Sequence, residues 1–160
     1  MTGLSGAGKT TLAMAVKEEL TSRGVRNIEI IDGDEYREGL CSDLGFSKDD
    51  RNTNIRRLGF VGRVLARNNV ITIMSAINPY EEVRQEIGGK LVYIKTGLDA
   101  VVSRDVKGLY AKALSGEIPN FTGISDPFEE PSSPDLVIET DKNTVQDCTV
   151  QLYDFVLDNT

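Results

Sequence analysis

Glycines, a lysine and two threonines near the amino terminus have the spacing of a phosphate-binding loop. Residues 3–11 read Gly-Leu-Ser-Gly-Ala-Gly-Lys-Thr-Thr and fit the pattern G-x-x-x-x-G-K-[ST]. Glycines permit positive φ angles that turn backbone N–H groups around an anion, and the following helix adds its own free N–H groups. The pattern assigns Lys9 to the β- and γ-phosphates and Thr10 to Mg²⁺. It predicts that a nucleoside triphosphate is bound by Gly3, Ser5, Gly6, Ala7, Gly8, Lys9, Thr10 and Thr11. A glycine-rich turn before an ordinary helix is the alternative interpretation.

Two carboxylates are the next candidates for chemistry. The apolar run Ile28–Ile31 predicts a short buried strand, and it is followed by Asp32-Gly33-Asp34. Side chains at the carboxyl end of a parallel strand face the ligand crevice of an open α/β sheet. Asp34 is then placed to order a Mg²⁺-bound water or to accept a hydroxyl proton. An Asp-Gly turn without chemistry is the alternative interpretation.

These residues must be positioned by a fold in which helices alternate with buried strands. A helix after the loop is predicted by the apolar spacing of Leu12, Ala13, Val16 and Leu20, and a closing helix by Val145, Cys148, Leu152 and Phe155. Ser47 predicts the N-cap of a long helix from Lys48 to about Asn68. Further strands are predicted over Val70–Met74, Leu91–Thr96 and Leu136–Thr140, and short helices over Glu35–Cys41, Tyr80–Ile87, Leu98–Arg104 and Asp105–Tyr110. The pattern predicts an α/β protein with a three-layer P-loop NTPase fold, in which helices flank a mostly parallel central sheet.

The domain organisation is simple. We expect residues 1–160 to form a single domain, because no linker-like stretch divides the chain. Only Met1 and Thr2 precede the phosphate-binding loop, where a strand ordinarily stands, so we expect a first strand that is truncated. Residues from about 105 to 130 mix cations, aromatic residues and glycines. They predict a lid that closes over phosphates, and an irregular surface excursion is the alternative.

Composition excludes several other classes of function. The chain has no histidine, and Cys41 and Cys148 follow no ligand spacing, which argues against zinc and against histidine-based catalysis. A net charge of −7 argues against nucleic acid as a partner. The apolar runs are too short to span a bilayer and the amino terminus is not signal-like. We therefore expect no membrane partner and a cytoplasmic location.

Several blocks of sequence resemble one kinase family. They are the loop at residues 3–11, Asp32-Gly33-Asp34, Leu44-Gly45-Phe46-Ser47, the stretch from Asp50 to Arg57, Lys107-Gly108-Leu109-Tyr110, and Phe121-Thr122-Gly123-Ile124. In this order they resemble the adenylylsulfate (APS) kinases over nearly the whole chain. The resemblance implies transfer of the ATP γ-phosphoryl group to the ribose 3′-hydroxyl of APS, with Mg²⁺ as cofactor. It also implies a homodimer and association or fusion with ATP sulfurylase.

The resemblance further implies roles for single residues. Lys9, Asp34 and Asp32 would be catalytic, with Asp34 orienting or deprotonating the 3′-hydroxyl and Thr10 and Asp34 at the metal. Phe46 and Phe121 would sandwich the APS adenine, and Lys107 would reach the phosphates or APS from the lid. Other APS contacts would come from Asp32, Arg37, Arg51, Asn54, Ile77, Asn78 and Asn120. The ATP adenine would lie near Arg104, Thr140 and Asn143.

Two positions depart from the family pattern. Many members have serine at the position of Asn78, and that serine has been assigned as a phosphorylated intermediate. Asn78 cannot carry a phosphoester, so we expect direct in-line transfer here. Asn120 stands where the family often has glycine. A different small-molecule P-loop kinase and a non-catalytic regulatory domain that binds APS or its product are the alternative functions.

Overall fold

The computed structural model describes residues 1–160 and contains seven helices and four strands. The helices are α1 (Lys9–Ser22), α2 (Gly33–Glu38), α3 (Lys48–Ala66), α4 (Glu81–Ile87), α5 (Leu98–Arg104), α6 (Leu109–Leu114) and α7 (Val145–Asp158). The strands are β1 (Ile28–Asp32), β2 (Ile71–Ser75), β3 (Val92–Lys95) and β4 (Leu136–Glu139). None of these helices combines the length and the apolar composition needed to cross a bilayer.

The strands form two parallel pairs. In the first pair β1 runs beside β2, with Ile28 opposite Ile71 and Asp32 opposite Ser75. In the second pair β3 runs beside β4, from Val92 opposite Leu136. The helical connections between parallel strands confirm the predicted α/β class.

Residues 1–3 join the two pairs. Thr2 forms a parallel bridge with Tyr93: its N–H donates to the Val92 carbonyl at 2.9 Å, and the Ile94 N–H donates to the Thr2 carbonyl at 2.9 Å. On the other side, the Gly3 N–H donates to the Ile77 carbonyl at 3.2 Å. Residues 1–3 therefore connect the β1–β2 pair to the β3–β4 pair in the middle of the sheet. Beside Met1 a cavity of about 630 Å³ runs along β2 and β3.

Helices cover both faces of the sheet. On one face α1 and α7 bury Leu12, Val16, Leu20 and Leu152 against strand residues such as Ile94. On the other face Ile55 and Leu58 of α3 and Val83 of α4 pack with Ile31. A third cluster comprises Val101 of α5 together with Tyr110, Ala113 and Phe121 of the segment predicted as a lid. The two helical faces and the sheet between them form the three layers of the predicted architecture.

Two short helices differ from their predicted bounds. Helix α2 begins at Gly33 instead of Glu35, because the Asp32 side chain accepts the Asp34 N–H and caps it. The helix predicted over Asp105–Tyr110 lies instead at α6, since Asp105 and Gly108 have φ angles of 24° and 66°. Residues 105–108 therefore form a turn before the helix. The Ser47 N-cap is confirmed by its bond from the Asp50 N–H at 3.2 Å.

Candidate active site

The phosphate-binding loop leads directly into α1. Gly8 is the N-cap residue of this helix and has a φ of 100°, which favours glycine. Gly3 is even more constrained, because it has a φ of 155° and a Cβ there would lie 2.4 Å from the Ile94 carbonyl oxygen. The close approach to β3 fixes where the loop starts.

The Lys9 side chain folds back onto this loop. Its ammonium donates to the carbonyl oxygens of Gly3 at 3.0 Å and Leu4 at 2.7 Å. Burial lowers the pKa of the Lys9 ammonium from its ordinary 10.5 to about 8, although the nearby Asp34 and Asp32 carboxylates oppose the shift. A buried ammonium whose hydrogen-bond partners are neutral is suited to an anionic ligand, because the ligand's negative charge would raise the pKa of Lys9 again.

Oxygen atoms gather where α1 and the ends of β1 and β2 meet. The Thr10 hydroxyl donates to Asp32 Oδ2 at 2.7 Å and lies 3.4 Å from the Ser75 hydroxyl. Asp32 Oδ1 accepts the Asp34 N–H at 2.9 Å, so one carboxylate links the phosphate-binding loop to α2. This group of hydroxyl and carboxylate oxygens is the donor set that Mg²⁺ prefers.

Asp34 is the second residue of α2, and its side chain is bonded to Lys107 in the segment predicted as a lid. Its Oδ2 accepts from the Lys107 ammonium at 2.5 Å. Both side chains are exposed, by 78% for Asp34 and 59% for Lys107, so water and ligands have access to the pair. The segment predicted as a lid therefore contacts the predicted base directly.

A cationic and aromatic group forms the opposite wall. The Phe46 ring is 54% exposed, and the guanidinium carbons of Arg37 and Arg51 lie 4.4 Å and 5.4 Å from its centre. Arg51 also donates to the Phe46 carbonyl at 3.1 Å and to the Asn120 carbonyl at 2.7 Å. Burial, reinforced by the charge of Arg37, lowers the pKa of Arg51. One buried and one half-buried guanidinium group beside an open ring suit an anion attached to an aromatic base.

Two asparagines line the floor of the site with unsatisfied side-chain oxygens. Asn54 and Asn78 are 5% and 3% exposed, and neither Oδ1 has a hydrogen-bond partner. Asn78 has a φ of 45°, a conformation that asparagine tolerates better than most residues. Its carbonyl accepts from Thr2 Oγ1 and from Arg84 Nη1, both at 2.9 Å. The backbone is thus fixed, while the buried carboxamide oxygen has no hydrogen-bond partner within the protein.

These groups surround one cleft of about 260 Å³. It is lined by most of the predicted site residues: Ser5, Gly6, Gly8, Lys9, Thr10, Thr11, Asp32, Asp34, Arg37, Phe46, Arg51, Asn54, Ile77, Asn78 and Lys107. The cleft also receives residues that sequence reasoning missed, including Ser75, Asp105 and Tyr110. Ser75 was signalled only by its place at the end of β2, and Tyr110 only by its place in the Lys107 block.

Other predicted residues lie away from the cleft lining. Phe121 is 9% exposed and packs edge-on against Tyr110, with ring centres 5.0 Å apart. Asn120 contacts the site through its carbonyl, at Arg51. Thr140 donates to the Ala7 carbonyl at 2.8 Å and accepts at its own carbonyl from Arg104 at 2.9 Å.

Asn143 also lies outside the lining of the cleft. Its side chain donates to the Glu139 carbonyl at 2.8 Å. Of Arg104, Thr140 and Asn143, only Thr140 bonds to the phosphate-binding loop, at Ala7, and none of the three lines the cleft. The structure therefore divides the predicted residues into a large group around the cleft and a small group outside its lining.

A phosphate-binding loop at the head of a parallel sheet, with Mg²⁺-type oxygens and a cationic wall opposite, defines a P-loop phosphotransferase. The profile of the family described as adenylylsulphate kinase matches residues 1–139, and the chain belongs to this family. The adenylyl-sulfate kinase of Deinococcus deserti is 53% identical over 158 residues, which cover 96% of this chain and 87% of that protein.

Solved structures agree with this assignment. The APS kinase CysC of Mycobacterium tuberculosis, in complex with AMPPNP and APS, superposes with a TM-score of 0.89 at 39% identity. The alignment covers 98% of this chain and 94% of that one. A hexameric APS kinase from Thiobacillus denitrificans superposes with a TM-score of 0.67 at 32% identity, over 99% of this chain and 28% of that longer chain.

Proposed function

We propose that this protein transfers the γ-phosphoryl group of ATP to the ribose 3′-hydroxyl of adenylyl sulfate, giving 3′-phosphoadenylylsulfate and ADP. The observation that carries this proposal is the single cleft in which Lys9 and Thr10 face Asp34, Arg37 and Arg51. One wall is built for a triphosphate and the other for an anion attached to an aromatic base. Family membership supplies the identity of the acceptor.

On the ATP side, the loop N–H groups and Lys9 would hold the β- and γ-phosphates. When these bind, the Lys9 ammonium exchanges the carbonyls of Gly3 and Leu4 for phosphate oxygens. Phosphoryl transfer asks the protein mainly for positioning and charge stabilisation, which this arrangement provides.

The residues present fit Mg²⁺. Thr10, Asp32 and Asp34 supply hydroxyl and carboxylate oxygens at the mouth of the loop, and no cluster of three or more acidic, histidine or cysteine ligands is present. This suits a cation held by one or two protein groups together with phosphates. Bound there, Mg²⁺ would neutralise charge that develops on the phosphate oxygens.

On the acceptor side, Asp34 would orient the 3′-hydroxyl and accept its proton. Lys107 occupies Asp34 Oδ2 in this structure, so it would move onto substrate phosphate or sulfate oxygens as the acceptor enters. Arg37 and Arg51 would bind the phosphosulfate, and the open face of Phe46 would stack on the adenine. Asn54 and Asn78 would accept hydrogen bonds from substrate through their unpartnered oxygens.

The test is a coupled assay of ADP release with Mg-ATP, with and without adenylyl sulfate. We expect ADP release to depend on adenylyl sulfate and to fall at least about a hundredfold in Asp34→Asn, the scale of a general base. The matched control is Asp99→Asn, which changes an exposed carboxylate in the first turn of α5. Equal ADP release without the acceptor, or full activity in Asp34→Asn, would contradict the proposal. Tight binding without turnover would indicate a regulatory domain instead.

Asn78 implies that no phosphoenzyme forms on the pathway. With ATP labelled in its γ-phosphate and no acceptor, we expect no label to remain on the protein, since a carboxamide cannot carry a phosphoester. Mass spectrometry of the intact chain checks the same point. A labelled protein that transfers its label to adenylyl sulfate would overturn direct in-line transfer.

The wider setting follows from the family. We propose a cytoplasmic homodimer that associates with ATP sulfurylase, the class of enzyme that makes adenylyl sulfate. Support for self-association comes from the hexameric Thiobacillus denitrificans relative. Light scattering at several protein concentrations measures the oligomeric state.

A further inference from the structure

Asp105 joins α5 to the lid, and every polar group that it has is engaged. Its N–H donates to the Val101 carbonyl at 2.9 Å, and its own carbonyl accepts the Gly108 N–H at 2.9 Å. Its carboxylate oxygens accept the N–H groups of Tyr110 at 2.9 Å and Ala111 at 3.0 Å. Asp105 therefore closes the turn of residues 105–108 and caps the helix that follows it.

Capping by Asp105 matters because α6 has no other side-chain cap. Its N-cap residue is Gly108, which offers no side chain, so the first free N–H groups depend on Asp105. Asp105 also has a φ of 24°, a conformation that costs energy outside glycine and is maintained here by the surrounding hydrogen bonds.

Lys107 stands inside the turn that Asp105 closes. The Lys107 ammonium reaches Asp34, but both partners are largely exposed, and exposed ion pairs contribute little by themselves. Because a lysine side chain is flexible, its ammonium occupies a defined position only if the backbone that carries it is fixed. The turn supplies that backbone, and Tyr110, one residue into α6, anchors it to Ser5 through a 2.7 Å hydrogen bond.

We propose that Asp105 is a positioning residue of the transfer reaction, which places Lys107 over the reacting groups by closing the 105–108 turn and capping α6. This inference rests on the proposed function, since Lys107 matters only if Asp34 and the phosphates react there. Asp105 lines the cleft, but both of its carboxylate oxygens are engaged in the cap. Its effect on turnover passes through Lys107.

The first test is a double-mutant cycle on kcat and KM with Asp105→Ala, Lys107→Ala and the two combined. We expect kcat to fall about tenfold in Asp105→Ala, within the roughly hundredfold that a misplacement of about 1 Å can cost, with a smaller change in the KM for ATP. The double variant should be no slower than Lys107→Ala by more than about twofold, because the two residues act in series. Asp105→Asn keeps one acceptor oxygen for the cap and should retain activity within about threefold of wild type.

Controls separate positioning from general damage. Asp99→Ala and Lys112→Ala change exposed side chains on α5 and α6 and should leave kcat unchanged. The inference would be overturned if the loss of kcat in the double variant equalled the product of the two single losses. An unchanged kcat in Asp105→Ala would overturn it as well. If Asp105→Ala lowers the melting temperature and the cycle shows no coupling in kcat between Asp105 and Lys107, Asp105 serves folding only.

A second readout does not depend on adenylyl sulfate. Trypsin cleavage after Lys107, followed by mass spectrometry, reports how firmly the turn is held. We expect Asp105→Ala to accelerate this cleavage about tenfold relative to cleavage after Lys142, and Asp105→Asn to change it little. Equal cleavage in wild type and Asp105→Ala would overturn the inference. If the wild type shows no turnover with adenylyl sulfate but Asp105→Ala is still cleaved faster than wild type, the proposed function is refuted and the assignment of the turn stands.

Discussion

Lys9 is bonded to its own loop before any ligand arrives. The carbonyls of Gly3 and Leu4 satisfy two of its three donors, and burial makes the charged form costly. An incoming triphosphate replaces these neutral acceptors with charged ones. Binding of nucleotide and protonation of Lys9 are therefore coupled.

This coupling predicts a pH dependence of nucleotide binding. Since burial lowers the pKa of Lys9 to about 8, the free protein loses this charge above that pH and the complex keeps it. The dissociation constant for Mg-AMPPNP should be flat from about pH 7 to 8 and then rise about tenfold per pH unit. Calorimetric titration measures it. Lys9→Arg keeps its charge and should remove the rise, so an equal rise in that variant would contradict the argument.

The same shift acts on stability with a defined sign. The folded state releases the Lys9 proton near pH 8, whereas the unfolded chain holds it to 10.5. Between these values the unfolded state binds more protons, so the contribution of Lys9 to stability rises with pH. Below pH 8 the cost of burying the charge is fully present. Nucleotide binding removes part of that cost.

Sequence reasoning identified the residues whose positions depend on local spacing. Lys9 and Thr10 follow from the loop pattern, and Asp32 and Asp34 from the end of β1. The hydrogen bond from Tyr110 to Ser5 spans 105 positions and leaves no local pattern. The edge-on packing of Phe121 against Tyr110 also depends on tertiary packing that no spacing encodes. The predicted adenine sandwich therefore stays a prediction.

Among the elements, α5, the 105–108 turn and α6 form one connected unit over the loop. Val101 of α5 packs with Tyr110 and Phe121 in the third cluster. The lid predicted from composition stays a prediction, whereas the helix predicted over Asp105–Tyr110 lies where the structure has the turn. Positive φ angles at Asp105 and Gly108 are the physical reason for that error, since neither belongs in a helix.

The Tyr110 hydroxyl provides a test of how the lid supports the loop. It donates to the Ser5 carbonyl at 2.7 Å, and burial, reinforced by Asp105, raises its pKa to about 12, so it stays protonated. Tyr110→Phe keeps the ring but loses this bond, and the KM for ATP should rise about two- to tenfold, the equivalent of one hydrogen bond. Tyr153→Phe on α7 is the matched control and should leave KM unchanged. An unchanged KM in Tyr110→Phe would show that the loop holds its shape without the lid.

Across the entire domain, the site depends on how the two strand pairs are joined. The β1–β2 pair carries Asp32 and Ser75, and the β3–β4 pair leads into the lid through α5. The alternation of helices and strands was predictable, because each element carries its own apolar period. That Thr2 alone bridges to β3 was not, since a single residue has no period to read.

Thr2 links this junction to the acceptor side of the cleft. It is fully buried, and its hydroxyl contacts the carbonyl oxygens of Ile77 at 2.7 Å and Asn78 at 2.9 Å. Thr2→Val keeps the shape but removes these bonds. We expect the free energy of unfolding to fall by about 1–3 kcal/mol, the cost of buried carbonyls left with fewer partners. The KM for adenylyl sulfate should rise as well, because Asn78 loses part of the support for its φ of 45°.

A destabilised variant elsewhere separates these two effects. Leu152 of α7 is 1% exposed in the core on the opposite face of the sheet from α3, so Leu152→Ala should lower the unfolding free energy by about 2–5 kcal/mol. It does not line the cleft, and Leu152→Ala should leave the KM for adenylyl sulfate unchanged. Urea titration and steady-state kinetics on both variants make the comparison. If KM rises equally in Thr2→Val and Leu152→Ala, reduced stability alone explains the rise, and Thr2 does not specifically shape the acceptor site. If it rises only in Thr2→Val, the short middle of the sheet is part of what shapes the cleft.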